Sequence, residues 1–179
     1  MQEELFANSA KSAAFTGYRV SKLPFEPTEE NVGKLKEKLK AAVISLYEKG
    51  FRFFYSGMCN GVDIWAALAV LDIKKELSDI ELICAVPFEG HADKLKGQEL
   101  EEYNGILSKA YKAVVLKGRV TYKELARAFN ERNKYMVDNS DALIAVCNGE
   151  KMTPGGTANT VKMAKKKGIE IIFIDPEEI

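Results

Sequence analysis

Phe51-Arg52-Phe53-Phe54-Tyr55-Ser56-Gly57-Met58-Cys59-Asn60-Gly61-Val62-Asp63 is an aromatic, strand-forming run that breaks into a turn with two glycines and then enters a helix. The same grammar recurs near the C-terminus. There the apolar run Ala142 to Cys147 leads through Thr153-Pro154-Gly155-Gly156-Thr157-Ala158-Asn159-Thr160 into another helix. Glycine has no Cβ, so its backbone can approach a ligand closely, and the unpaired N–H groups of the following helix start attract anions. Each turn is therefore expected to hold a phosphate, on the amides near Gly57 to Gly61 and near Gly155 to Thr157.

Working outward, strands and helices alternate along the whole chain. Ser12 to Phe15 reads as a first strand, followed by Thr16-Gly17 and by a segment whose Pro24 and Pro27 forbid a helix interior. Thr28 is an N-cap for an amphipathic helix on Val32, Leu35, Leu39, Val43 and Leu46 that stops at Gly50. A helix over about Val62 to Leu77 is apolar around much of its circumference and should be buried, with Trp65 read as core. Leu82 to Val86 and Ala113 to Leu116 are two more strands, separated by a polar loop and a helix within Glu89 to Lys109. Thr121 to Asn139 reads as helix, Ala142 to Cys147 as strand, Gly156 to Lys167 as helix capped by Gly168, and Ile169 to Ile174 as the last strand. Strands apolar on both faces and alternating with helices imply a mainly parallel sheet of about six strands in a three-layer α/β domain. Ligands of such sheets sit beyond the carboxyl ends of the strands, where Thr16-Gly17, Ser56-Gly57 and the Asn148 to Thr157 loop would gather.

Composition narrows the function classes. The chain has 179 residues, 46% of them apolar, and its 26 basic residues balance its 26 acidic ones. That length suits a single domain over residues 12–179 behind a short N-terminal arm, residues 1–11. The charge balance argues against nucleic acid and for a small-molecule partner. The arm carries Glu3, Glu4 and Lys11 without a long apolar run, so neither a signal peptide nor a membrane span is expected. Cys59, Cys84 and Cys147 are widely spaced, and His91 is the single histidine, so no zinc site or disulfide framework is expected and a reducing cytoplasm fits.

Among the candidate site residues, Arg19 offers a planar fork for phosphate or carboxylate just after Thr16 and Gly17. Asp63 has two readings: a carboxylate complementing the helix dipole, or a group for ribose hydroxyls or general acid/base work. Arg132 and Asn133 could turn polar groups into the cleft, although Asp138-Asn139-Ser140-Asp141 is also an ordinary helix stop. Thr157 adds a hydroxyl donor where its helix begins. His91 reads as a surface-loop residue, and Lys162, Lys165, Lys166 and Lys167 as the solvated face of a helix. Phe88, Tyr103 and Tyr111 leave room for a homo-oligomer contact.

Four ordered motifs resemble the YpsA-like family of the SLOG superfamily: Phe15-Thr16-Gly17-Tyr18-Arg19, the stretch Ser56 to Ala67, Arg132-Asn133-Lys134-Tyr135-Met136-Val137-Asp138, and Gly155-Gly156-Thr157-Ala158. The resemblance implies a Rossmann-like, doubly wound fold related to the LOG phosphoribohydrolases and the DprA/Smf DNA-processing proteins, with nucleotide-type ligands at the glycine turns. It also exposes a departure. Aligned on Pro154-Gly155-Gly156, the later glycine, threonine and catalytic glutamate of LOG enzymes fall on Ala158, Asn159 and Lys162. The expected function is nucleotide binding as a sensor or regulator. The alternatives are a nucleotide hydrolase using Asp63 and DprA-like handling of single-stranded DNA. No cofactor is required, and magnesium would enter only with a nucleotide.

Overall fold

The structure, a computed structural model, describes residues 10–179. Most of the predicted arm lies outside the described residues, and Lys11, assigned to that arm, opens the first strand. In chain order the elements are β1 (Lys11–Gly17), α1 (Glu29–Glu48), β2 (Phe51–Ser56), α2 (Val62–Ile73), β3 (Glu81–Val86), α3 (Gly97–Lys109), β4 (Lys112–Val115), α4 (Leu125–Asp138), β5 (Ala142–Val146), α5 (Gly156–Lys167) and β6 (Glu170–Ile174). Helix α2 ends four residues before its predicted boundary. Its apolar pattern runs on to Leu77, but Lys74-Lys75-Glu76 continue as turns.

The six strands lie in the order β4-β3-β2-β1-β5-β6, and all five neighbouring pairs are parallel. Parallel pairing leaves the middle strands covered on both faces, which is why β5 is buried throughout. Helices α1, α2 and α3 cover one face, where Leu35, Leu39, Val43 and Leu46 of α1 are wholly buried at helical spacing beside stacked Phe15 and Phe54. Helices α4 and α5 cover the other, through Met136, Val137, Val161 and Ala164. The chain therefore winds outward from β1 to β4, returns through α4, and winds the opposite way through β5 and β6. This is the expected Rossmann-like, doubly wound α/β arrangement.

Local signals set the element ends. The Thr28 side chain accepts the Asn31 amide at 3.2 Å, an N-cap that contributes about 1 kcal/mol. Trp65 is half-buried against the core, as its reading predicts. Gly168 ends α5 with φ 77°, a left-handed conformation in which an added Cβ would meet no neighbour within 4 Å. Gly168→Ala is thus expected to cost about 1–2 kcal/mol through backbone strain alone, a loss readable by urea denaturation with an unchanged m-value.

Candidate functional site

The winding direction reverses between β1 and β5, and a crevice opens beyond their carboxyl ends. Gly17 and Val146 are partners in the register at that edge. Two side-chain bonds span the reversal: the Thr157 hydroxyl donates to the Gly17 carbonyl at 2.9 Å, and the Tyr18 hydroxyl donates to Asn148 Oδ1 at 2.9 Å. The proton expected to serve a phosphate from Thr157 is thus engaged within the protein. The residue still lines the cleft.

That cleft has a volume of about 820 Å³. It brings together nine of the twelve predicted binding residues: Thr16, Gly17, Arg19, Asp63, Arg132, Asn133, Gly155, Gly156 and Thr157. Their elements are far apart in sequence, and the parallel sheet gathers them. Thr16 and Asn133 are 6% and 8% exposed, and among the described residues neither Thr16 Oγ1 nor Asn133 Nδ2 has a hydrogen-bonding partner. Helix α5 points its N-terminus here. Its first in-helix amide bond is Asn159 to Gly155, which leaves the amides of Gly156, Thr157 and Ala158 without a protein acceptor among the described residues. Arg19, Lys22, Lys123 and Arg132 line the cleft against one carboxylate, Asp63.

Ser56, Gly57 and Gly61 do not line it, which corrects the expectation for the first glycine turn. The turn is filled by the protein's own groups. A Cβ on Gly57 would lie 2.2 Å from Arg132 Nη1 and 2.7 Å from Asp63 Oδ2, so glycine is required there by a guanidinium packed on the backbone. Gly61 has φ 98° and passes 3.0 Å from the Tyr18 carbonyl, measured from its Cβ position. Ser56 is wholly buried; its hydroxyl donates to the Asp63 carbonyl and accepts the Met58 amide. Met58 itself is held at φ 61°, in the left-handed region.

Arg132 and Asn133 lie within α4 and are buried, not solvated at a helix end. Arg132 Nε donates to Asn133 Oδ1 at 2.8 Å, Nη1 to the Ala85 carbonyl at 3.4 Å and Nη2 to Cys59 Sγ at 3.4 Å. Its Nη2 stands 3.9 Å from Asp63 Oδ2, which also accepts the Cys59 amide. Burial raises the Asp63 carboxyl above the usual range, opposed by Arg132, the Cys59 amide and Arg19. The helix stop is instead completed by Lys167, whose Nζ donates to the carbonyls of Val137, Asp138 and Ser140, so this lysine caps α4 and is not a free solvated charge.

A second chamber of about 620 Å³ adjoins the cleft. The two share Arg19, Cys59, Asn60, Tyr122, Leu125 and Phe129. His91 faces this chamber, where a surface loop is expected from sequence. Its ring meets Phe88 at 5.5 Å and Phe129 at 5.8 Å, its Nδ1 lies 3.2 Å from the Tyr103 hydroxyl, and its Nε2 lies 3.9 Å from Cys59 Sγ. Burial, aided by Arg132 and Arg19, lowers its pKa to about 4, so the ring is neutral at physiological pH. Phe88 and Tyr103 are buried as well, at 9% and 3% exposure, which withdraws them from the predicted oligomer contact. Tyr111 stays exposed.

Comparison with known proteins gives the family and the fold. The chain matches the model of the YspA SLOG family over residues 13–179. The chain belongs to the YspA SLOG family. Relatives of this SLOG protein include the UPF0398 protein of Bacillus cereus strain G9842, 33% identical over 159 residues covering 88% of this chain and 84% of that one. A UPF0398 protein of Bacillus thuringiensis strain Al Hakam is 32% identical over 177 residues, 94% of each chain. Among solved structures, DNA processing protein A from Helicobacter pylori, described for its single-stranded DNA binding mode, superposes with a TM-score of 0.58 at 16% identity, over 97% of this chain and 73% of that one. At that identity the likeness is one of fold. In this SLOG chain Lys162 is exposed and lies outside the cleft, whereas Asn159 lines it. No helix among the described residues is long and apolar enough to cross a membrane.

Proposed function

We propose that this protein binds a nucleotide or nucleotide-derived small molecule in the cleft beyond β1 and β5, and that it acts as a sensor or regulatory protein. The observation that carries this reading is the pair Gly155-Gly156. Unlike Gly57 and Gly61, these glycines are not demanded by the protein's own packing: a Cβ on Gly155 would meet only Lys22 Nζ at 3.6 Å, and one on Gly156 only Asn133 Nδ2 at 3.8 Å. Gly155 has an extended backbone, which any residue can adopt. We read the open space at the start of α5, on the cleft, as room for a ligand. A phosphate resting there would meet the three unengaged α5 amides, the helix dipole, Asn133 Nδ2, and the cations Arg19 and Lys22.

The test is thermal stability of the purified protein against mono-, di- and triphosphate nucleotides, NAD, ADP-ribose and cyclic nucleotides, with and without magnesium. A ligand at 100 times its Kd adds about 2.7 kcal/mol, roughly 5–10 °C for a chain of this size. Gly156→Ala should keep the unliganded melting temperature and weaken binding, and Gly156→Asp should abolish the shift by placing a carboxylate against the phosphate. A full shift retained in Gly156→Asp would sink the reading. Chromatography of whichever nucleotide binds, after incubation, separates a binder from a hydrolase using the Asp63 carboxyl.

One observation favours a second reading, binding of single-stranded nucleic acid. Tyr122 is 88% exposed at the mouth of the cleft, beside Lys123 and Arg19, as a base-stacking residue in a cationic channel would be. Oligothymidylate binding that weakens steeply with salt, and is lost in Tyr122→Ala, would support it.

A further inference from the structure

The two chambers differ in chemistry, and the difference defines both ends of a ligand. The first carries four cations against one carboxylate. The second carries Arg19, Lys94 and Arg119 against Glu89, Asp93, Glu99 and Glu102, and Arg119 is already paired with Asp93 at 2.8 Å. Glu102 has no ion-pair partner among the described residues. A second phosphate placed here would face more carboxylates than cations, which argues for an uncharged guest in this chamber.

The chamber wall is also aromatic. Phe88, His91 and Phe129 meet one another edge-to-face, with centroids 5.5–5.8 Å apart and interplanar angles of 72–90°. Such a box offers both ring faces and ring edges to a flat guest. His91 is neutral there and carries one donor and one acceptor nitrogen, so it adds hydrogen bonding without adding charge. Phe129 stands at the junction of the chambers with the Arg19 guanidinium 4.9 Å above its ring. Arg19 can therefore meet an anion on one side while its stacked partner faces the other chamber.

We propose that the second chamber is a nucleobase site: it takes a base bearing an exocyclic amine, from a nucleoside monophosphate whose phosphate lies at the α5 N-terminus. The aromatic box holds the base plane, and the Glu99–Glu102 side of α3 accepts from the amine. The assignment rests on the nucleotide reading of the first chamber and adds to it the polarity of the ligand: anion at β1 and β5, neutral ring at β3 and α3.

Isothermal titration with AMP, GMP, CMP, ribose 5-phosphate and inorganic phosphate tests it. At least one amine-bearing monophosphate should bind about tenfold or more tighter than ribose 5-phosphate, the advantage that base–aromatic stacking supplies. Phe88→Leu, at a residue that lines the second chamber and not the first, should remove most of that advantage and leave ribose 5-phosphate binding within about twofold. Glu102→Lys, on the exposed surface of α3, should weaken the same nucleotide several-fold and serves if Phe88→Leu fails to fold. Equal affinity for ribose 5-phosphate and every nucleotide would overturn the base site while leaving the phosphate site standing. Failure of all five probes to bind would overturn the monophosphate base site, whereas the nucleotide reading falls only if the wider thermal-stability screen also shows no shift.

Discussion

Replacing Arg132 with methionine lowers the stability of the protein by about 3–5 kcal/mol, the range found when one partner of a buried ion pair is removed. Arg132 is 3% exposed and joins three separate parts of the chain: the turn after β2 through Cys59, the end of β3 through Ala85, and α4 itself through Asn133. Methionine fills much of the stem volume but supplies no charge to Asp63 and no donor to Ala85 or Cys59. Asp63 would then have to be buried as a lone carboxylate or take up a proton, and its carboxyl is already raised by burial with the arginine present. Chemical denaturation at neutral pH measures the loss. In the Arg132→Met/Asp63→Asn double variant part of the stability returns, because the uncharged amide needs no counter-ion, and a double-mutant cycle reads the coupling. A loss below about 1 kcal/mol would mean that the guanidinium is not a structural tie.

Acidification supplies the second large effect. The His91 imidazole is held at about 4 in the folded protein, first by burial and then by Arg132 and Arg19, against an ordinary value of 6.5. Between those two values the unfolded chain binds a proton that the folded chain does not. Stability from this group is therefore complete above about pH 6.5 and falls as the pH drops toward 4, by about 3 kcal/mol in all. His91→Gln, which keeps a polar partner near Tyr103, should lack this loss, so the stability difference between the two proteins changes by about 3 kcal/mol across this window. Asp63 works in the opposite sense: a raised carboxyl favours the folded state on acidification and loses that contribution as the pH rises. It is present in both proteins, so the comparison cancels it to first order. Denaturation midpoints from pH 4 to 7 decide the matter, and parallel curves would place the His91 ring in water.

The fold was legible because its signals are local. Alternating strand and helix periodicities, the Thr28 cap, the Gly50 and Gly168 stops and the apolar run of β5 each act within a few residues, and all point to the same parallel sheet. The carboxyl-end crevice followed from that topology, and with it the gathering of Thr16, Arg19, Asn133 and Gly155-Gly156. The roles of the glycines were less legible. A glycine in sequence marks a turn or a close approach, not what lies beside it. At Gly57 the occupant is Arg132, seventy-five positions along the chain, and at Gly17 it is Val62. At Gly155 and Gly156 no protein group fills the space.

His91 shows the same limit from another side. Phe88 is its one partner near in sequence, yet α3 brings Tyr103, α4 brings Phe129 and the β2–α2 turn brings Cys59 around its ring. By itself the sequence determined the elements, their order and the end of the sheet where a ligand would lie, because hydrogen-bond periodicity and turn chemistry are short-range. Only the tertiary structure decided which polar groups are engaged and which stay open, because side-chain direction and burial are set by packing between segments that the chain keeps far apart.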